Sequence, residues 1–299
     1  MTIIDIHTHI YPKVSGITQG LPMTGTNLGR VRIGNRTVQF LPPSFEHSNS
    51  TYEMLISHMD WCGVEKAILM ANPYYGYHNE YFVEAVQRYP DRLKGVALVD
   101  INGGKEAASE LMDLYERTPL FGMKIETNSS YQTAPGRRMT DPNCTPVWAC
   151  LHDSRQTVFI HPFTSDDLED IRTLSERYPD ILFVICHMGA NACFGYQATP
   201  QAFSYLLDTA KANKNIYLDT STVPEYFQQP YPYPAAQEVI QRGYRALGPE
   251  RLMWSSDYPG MLNHATYRQL ISLVADECPD IPSHHKDMIM GQNAQRIFW

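Results

Sequence analysis

The chain has 299 residues, 43% of them hydrophobic and 19% charged, with a formal net charge of −8; this is the composition of a folded globular protein rather than a disordered one. The acidic balance argues against nucleic acid as a partner, because phosphate binding needs clustered Lys and Arg, and no run approaches the ~18 apolar residues needed to cross a bilayer. The six cysteines include no Cys-x-x-Cys pair that would mark a zinc knuckle or redox site, and with no secretory leader ahead of the first strand the expectation is reduced thiols in a cytoplasmic protein.

The first element is Ile3-Ile-Asp-Ile-His7-Thr-His9. Alternate side chains of a strand share a face, so His7 and His9 point one way while Ile4, Ile6 and Thr8 point the other. Neutral imidazole is a common zinc ligand, and two converging imidazoles can grip one ion. Two unrelated histidines at a strand end is the competing reading of so short a pattern. Residues 12–50 are rich in Gly, Pro, Thr and Asn, show no helical period, and read as a long loop inserted after the first strand. The insertion leaves the histidine-bearing end and is expected to fold over it, with Arg30 and Arg32 able to reach an anionic substrate.

From residue 51 the pattern becomes regular. Helix 51–62, closed by Gly63, precedes strand 66–71; helix 81–89 precedes strand 95–100; helix 105–117 precedes strand 121–126. Helix 146–153 leads to strand 157–161, helix 166–178 to strand 181–187, helix 201–213 to strand 215–221, and helix 235–247 to strand 251–257. Two helices, 265–278 and 283–298, close the chain. Apolar strands alternating with helical segments are parallel strands joined by crossovers, and eight of them close a (β/α)8 TIM barrel. An open doubly wound sheet is the alternative, but its Gly-rich phosphate turn after strand one is absent. No repeat or composition break divides residues 1–299, which read as one barrel domain with the 12–50 insertion.

Catalytic groups in such barrels sit at the carboxyl ends of the strands. His7 and His9 end strand one, His161 strand five, His187 strand six and Asp257 strand eight, so five metal-compatible groups fall on one rim. The other histidines lie in loops or helices and read as surface residues, except His78, which follows strand two. Tyr74, Tyr75 and Tyr77, with the Tyr- and Pro-rich stretch 224–234, could supply an aromatic wall for a planar or unsaturated acid.

The paired histidines of strand one, the single histidines of strands five and six and the aspartate of Trp254-Ser-Ser-Asp257-Tyr-Pro resemble the amidohydrolase superfamily of metal-dependent enzymes. Met59-Asp-Trp-Cys-Gly-Val-Glu-Lys-Ala, Ile160-His161-Pro, Cys186-His187-Met-Gly and the ending Met290-Gly-Gln-Asn-Ala-Gln-Arg-Ile-Phe resemble the branch that includes aminocarboxymuconate-semialdehyde decarboxylase and lactone hydrolases. The resemblance implies one divalent metal, zinc first and manganese second, held by His7, His9, His161 and Asp257. His187 would stand beside it, with Asp257 and His187 as the catalytic pair. Lys124 and Glu126 share a face of strand four, where some members bridge two metals; a paired charge inside the barrel is the other reading. Arg30, Arg32, Tyr74, His78 and Glu126 are the candidate substrate contacts. The reaction expected is hydrolysis of a small ester, lactone or amide, carboxylated or aromatic, by metal-activated water. Non-oxidative decarboxylation of a carboxylated aromatic or dienoic acid is the alternative, and a non-catalytic metal-binding barrel the third reading. The partner expected is a small-molecule substrate, and the acidic surface with aromatic loops allows a homo-oligomer.

Overall fold

The computed structural model describes residues 1–18, 20–127, 137–196 and 198–299. The strands in chain order are β1 (Ile4–Thr8), β2 (Ser15–Thr18), β3 (Leu21–Gly25), β4 (Arg30–Ile33), β5 (Arg36–Gln39), β6 (Lys66–Leu69), β7 (Leu93–Ala97), β8 (Leu120–Glu126), β9 (Thr157–His161), β10 (Leu182–Ile185), β11 (Ile216–Asp219) and β12 (Leu252–Met253). β1 and β6 to β12 form one eight-stranded sheet in sequence order, parallel at every pairing. The chain after β12 returns to β1: Asp257 N donates to His7 O at 2.9 Å, His9 N donates to Tyr258 O at 2.7 Å, and Thr8 bridges Tyr258 in parallel. The architecture is the (β/α)8 barrel that the alternation of apolar runs and helical periods predicts.

Ile4, Ile6, Ile68, Val96, Phe159, Val184 and Met253 fill the interior, and Ala294 and Phe298 of the last helix (Asn293–Phe298) pack against them from below. The outer helices bury their apolar faces against the ring's outer surface, as Leu55, Phe82, Leu111, Leu174, Phe203 and Leu270 do. The first of them, Tyr52–Cys62, starts where the Thr51 side chain accepts from Met54 N and stops where Gly63 turns left-handed at φ 76°. All six cysteines are free thiols. Among the described residues no helix is long and apolar enough to cross a membrane.

Strict alternation along β1 would have put Ile4 and Ile6 opposite the histidines. The structure corrects this. Asp5 lies opposite Ala67 but Thr8 opposite Leu69, so β1 carries one extra residue between them. Such a bulge resets the alternation: Ile4 and Ile6 pack inside the barrel, Asp5 reaches Tyr267 of an outer helix, and His7 still turns towards the mouth. β8 has a matching irregularity, where Gly95, Val96 and Ala97 pair with Leu120, Phe121 and Met123. Gly122 is the extra residue there. Its φ is +57°, and a Cβ would sit 2.6 Å from Thr157 O, so only glycine fits.

The insertion is the second correction. Between Ser15 and Gln39 the segment read as loop is a four-stranded antiparallel sheet, β2-β3-β4-β5. Met23 and Val31 are buried on one face, while Arg30 and Arg32 are exposed on the other. Gly34-Asn35 makes the tight turn from β4 to β5, with Gly34 at φ 57°, a residue pair suited to two-residue hairpins. The sheet is seated on the loop after β6, where Ser15 N donates to Tyr75 O at 2.9 Å and Ile17 N to Pro73 O at 3.1 Å.

Candidate metal centre

Three side chains from the seam between β1 and β12 offer ligand atoms that all lie within 4.8 Å of one another: His7, His9 and Asp257. Asp257 Oδ1 is 3.0 Å from His9 Nε2 and 3.9 Å from His7 Nε2. The rings of His7 and His187 stand 4.6 Å apart, and those of His187 and His161 4.3 Å, so the four imidazoles form a continuous arc. His161 is not within the tight group. Its Nδ1 is 2.6 Å from Glu126 Oε1 and its Nε2 is 3.0 Å from Asn191 Oδ1.

The hydrogen bonds of His7, His9 and His187 fix which nitrogen of each ring carries the proton. His9 Nδ1 lies 2.7 Å from Met70 O, a group that only accepts, so Nδ1 is the donor. His7 Nδ1 faces Asp219 Oδ2 at 2.9 Å, and His161 Nδ1 faces the Glu126 carboxylate. His187 Nδ1 lies 2.7 Å from Ser221 Oγ, whose own hydrogen goes to Asp219 Oδ1. His7, His9 and His187 therefore donate from Nδ1, and in the neutral imidazoles their Nε2 atoms are bare lone pairs, whereas both ring nitrogens of His161 face acceptor oxygens, Glu126 Oε1 and Asn191 Oδ1. His7 Nε2 is buried without a hydrogen-bond partner among the described residues. At His9 a lone pair confronts a carboxylate oxygen. A proton or a cation between them satisfies that contact, and the donor set of imidazole nitrogens and one carboxylate oxygen suits a divalent ion of the zinc type.

Burial works against the charge on Asp257, but the His9 bond, the nearby imidazoles and a 2.7 Å hydrogen bond from Thr222 Oγ1 outweigh it and hold the carboxyl well below the usual range. Burial is also opposed at Glu126, where His161 and Lys124 keep the carboxyl below its ordinary value. Lys124 is fully buried, 3.5 Å from Glu126 Oε2 and 3.3 Å from Cys186 Sγ, and is a paired charge of the barrel interior. His187, Thr222 and Asp257 all have left-handed backbone, at φ 58°, 61° and 58°, a strain that the surrounding bonds must hold in place.

Burial, with Lys124 adding, holds His7 well below the ordinary histidine value; burial, with His161 adding, does the same for His187. An unfolded chain protonates histidine near 6.5. Below that pH the unfolded state binds two protons that the fold refuses, so stability falls as pH falls. Asp5 acts in the opposite direction, because burial raises its carboxyl to about 6 and the fold keeps a proton there that the unfolded chain has shed. Two groups outweigh one. The unfolding free energy of the metal-free protein is expected to be about 1–2 kcal/mol lower at pH 5.5 than at pH 6.5, as read by urea denaturation; equal values would mean that both imidazoles take up protons within the fold.

The arc opens into a cavity of about 410 Å³ whose lining includes His9, Phe40, Tyr74, Glu126, His161, Phe163, His187, Tyr226 and Asp257. Of the candidate substrate contacts, Tyr74 and Glu126 line the cavity. Arg30 and Arg32 are exposed on β4 and do not line the cavity. His78 does not line it either; its Nε2 lies 3.1 Å from Lys13 O and 3.0 Å from Tyr75 O. His264, read as a surface residue, is a lining residue. Sequence reading also passed over Asp219, which ends β11 as the histidines end theirs and anchors His7, His187 N and Ser221. Asn191, Thr222 and Glu225 carried no pattern that would have singled them out.

The family model described as Amidohydrolase matches residues 4–298. No curated protein sequence gives a match. Among solved structures, the probable 2-pyrone-4,6-dicarboxylic acid hydrolase of Acinetobacter baumannii with citric acid bound aligns over 100% of this chain and 99% of its own, at 19% identity and TM-score 0.73. A zinc-bound amidohydrolase of Burkholderia multivorans aligns over 99% and 98%, at 16% and 0.74. The 5-carboxyvanillate decarboxylase of Novosphingobium aromaticivorans, complexed with manganese and 4-hydroxy-3-methoxy-5-nitrobenzoic acid, aligns over 81% and 78%, at 18% and 0.59. With a model match that runs through every strand of the barrel, the chain belongs to the amidohydrolase family of enzymes.

Proposed function

We propose that the protein is a metal-dependent hydrolase of a small ester, lactone or amide with an aromatic or unsaturated body, using one zinc ion held by His7, His9, His161 and Asp257. The observation that carries this reading is that His7 Nε2 and His9 Nε2 both turn a lone pair towards the Asp257 carboxylate, each ring fixed by an acceptor on its far nitrogen. A divalent ion bound there supplies Lewis acidity to a carbonyl oxygen and to water. The chain's own groups do the rest. Phe40, Tyr74, Phe163 and Tyr226 offer flat faces to a ring. Asp257 takes the proton of the incoming water and passes it to the leaving oxygen or nitrogen. His187, tied to Ser221 through Nδ1, presents Nε2 to hold the substrate or water in line.

A carboxy-lyase reaction on a planar aromatic acid is the second reading, favoured by the same aromatic walls and by the decarboxylase among the structural neighbours. There the carboxylate would face the imidazoles, and His187 or Asp257 would protonate the ring carbon. Zinc-loaded protein given an aromatic lactone and a carboxylated phenol decides between them. Ring-opened acid is the expected product, and carbon dioxide from the phenol alone would reverse the order. His187→Asn is expected to keep its metal while kcat falls roughly 100-fold or more; an unchanged kcat would remove His187 from the reaction.

A further inference from the structure

The cavity is poor in positive charge. No lysine or arginine is among its described lining residues, and positions 19, 128–136 and 197 contain neither. Lys124 is fully buried and committed to Glu126 and Cys186. Three carboxylates do line the cavity: Glu126, Asp257 and Glu225. The first two belong to the arc of imidazoles. Glu225 does not. It stands on the turn after β11, half-exposed, with its Oε1 3.9 Å from His264 Nε2. Its nearest charged surroundings are His264, His161 and Asp257. The remaining polar wall is neutral, and part of it is already engaged. Gln39 Nε2 donates to Leu28 O and Leu41 O, and Asn263 Nδ2 donates to Phe40 O at 2.7 Å.

A substrate carboxylate facing the metal ligands would be received by the ion. A second carboxylate elsewhere on the same small ring would meet no guanidinium or ammonium, and would lie in a cavity of this size with Glu225 facing it. Like charges brought together in a partly desolvated cleft cost far more than they do in water. We infer that the substrate carries at most one carboxylate, and that Glu225 is the residue that rejects a second negative charge. The body of the molecule away from the ligands is then uncharged, with hydroxyl, ether or amide groups matched to the phenols and amides of the wall. This rests on the cavity being the substrate site, as proposed above, and adds the charge rule that governs entry.

The test uses the zinc-loaded full chain at pH 8, where an ordinary imidazole is neutral. Calorimetry compares isophthalate with 3-carbamoylbenzoate, which has nearly the same shape but one carboxylate replaced by an amide. The mono-carboxylate is expected to bind roughly tenfold tighter or more, and Glu225→Gln to narrow the gap to roughly threefold or less. Glu225→Arg should reverse the order. Circular dichroism on each variant confirms that the half-exposed position leaves the fold intact. Equal or tighter binding of isophthalate by the unaltered chain, failure of 3-carbamoylbenzoate to bind, or a gap that none of the substitutions changes would overturn the inference. Its failure is distinguishable from that of the hydrolase reading. A charge preference without opening of any lactone sinks the reaction and keeps the rule, while lactone opening without the preference does the reverse.

Discussion

Asp257→Asn is expected to release the metal and to lower kcat/KM by roughly three orders of magnitude, about 4 kcal/mol of transition-state stabilisation. The substitution is nearly isosteric and keeps the backbone content, since asparagine tolerates the left-handed φ of 58° at this position. What changes is the contact with His9 Nε2 at 3.0 Å. An amide nitrogen placed there donates to the lone pair that a cation would otherwise take. The contact is thereby satisfied without an ion, and the charge that held the ion is gone. The metal-free variant should therefore unfold at the same temperature as the metal-free parent, or somewhat above it, while failing to retain zinc through dialysis. Metal analysis returning one ion per chain in the variant would remove Asp257 from the ligand set.

Asp5→Ala should cost about 3–5 kcal/mol of stability, among the largest effects of any single substitution outside the cavity. The Asp5 carboxylate accepts from His7 N at 3.1 Å, from Ser256 N at 3.0 Å, from Tyr267 OH at 2.6 Å and from Ser256 Oγ. Those donors belong to β1, to the segment after β12 and to the helix Tyr267–Ala275, so one buried side chain ties the closing seam of the ring to its outer layer. Alanine leaves four donors without an acceptor in a site that water does not reach. Native domains are stable by about 5–15 kcal/mol in total, and a loss of this size takes a large part of it. Urea denaturation of the metal-free protein reads the effect. A change below about 1 kcal/mol would mean that the seam holds without Asp5. Asp5→Asn should fall between, because one oxygen still accepts while the amide nitrogen faces donors.

The barrel was legible because its signal is redundant. Each strand is a short apolar run such as Leu182–Ile185, buried from its second residue on between the ring and a helix, and each helix carries a period that the strand lacks. A polar group at the end of such a run has little reason to be there except the site, which is how His161, His187 and Asp257 stood out. Asp219 ends β11 in the same way but sits before Thr220, Ser221 and Thr222, where it resembles the start of an ordinary polar loop. The inserted sheet was missed for a different reason. Its strands have one exposed face, so Arg30-Val31-Arg32-Ile33 reads as a polar stretch unless the alternation is weighed against the Gly34-Asn35 turn that follows. The arginines looked available to a substrate only while that segment was taken for a loop folded over the strand end. Once it is a sheet, its pleat decides which way they face. The bulge in β1 cannot be seen at all in the residue pattern, because it is defined by the partner strand, not by β1.

The insertion of residues 12–50 supplies one lip of the cavity. Among the described residues its four strands pair only with one another, yet the end of β5 delivers Gln39 and Phe40 to the rim of the cavity, and Asn263 fastens Phe40 to the opposite bank. None of the ion-holding candidates lies on it. Part of the cavity wall therefore rides on a piece of the molecule that carries none of those candidates, and a graft exchanging this lip for one from another family member would reshape that wall while they stay where they are.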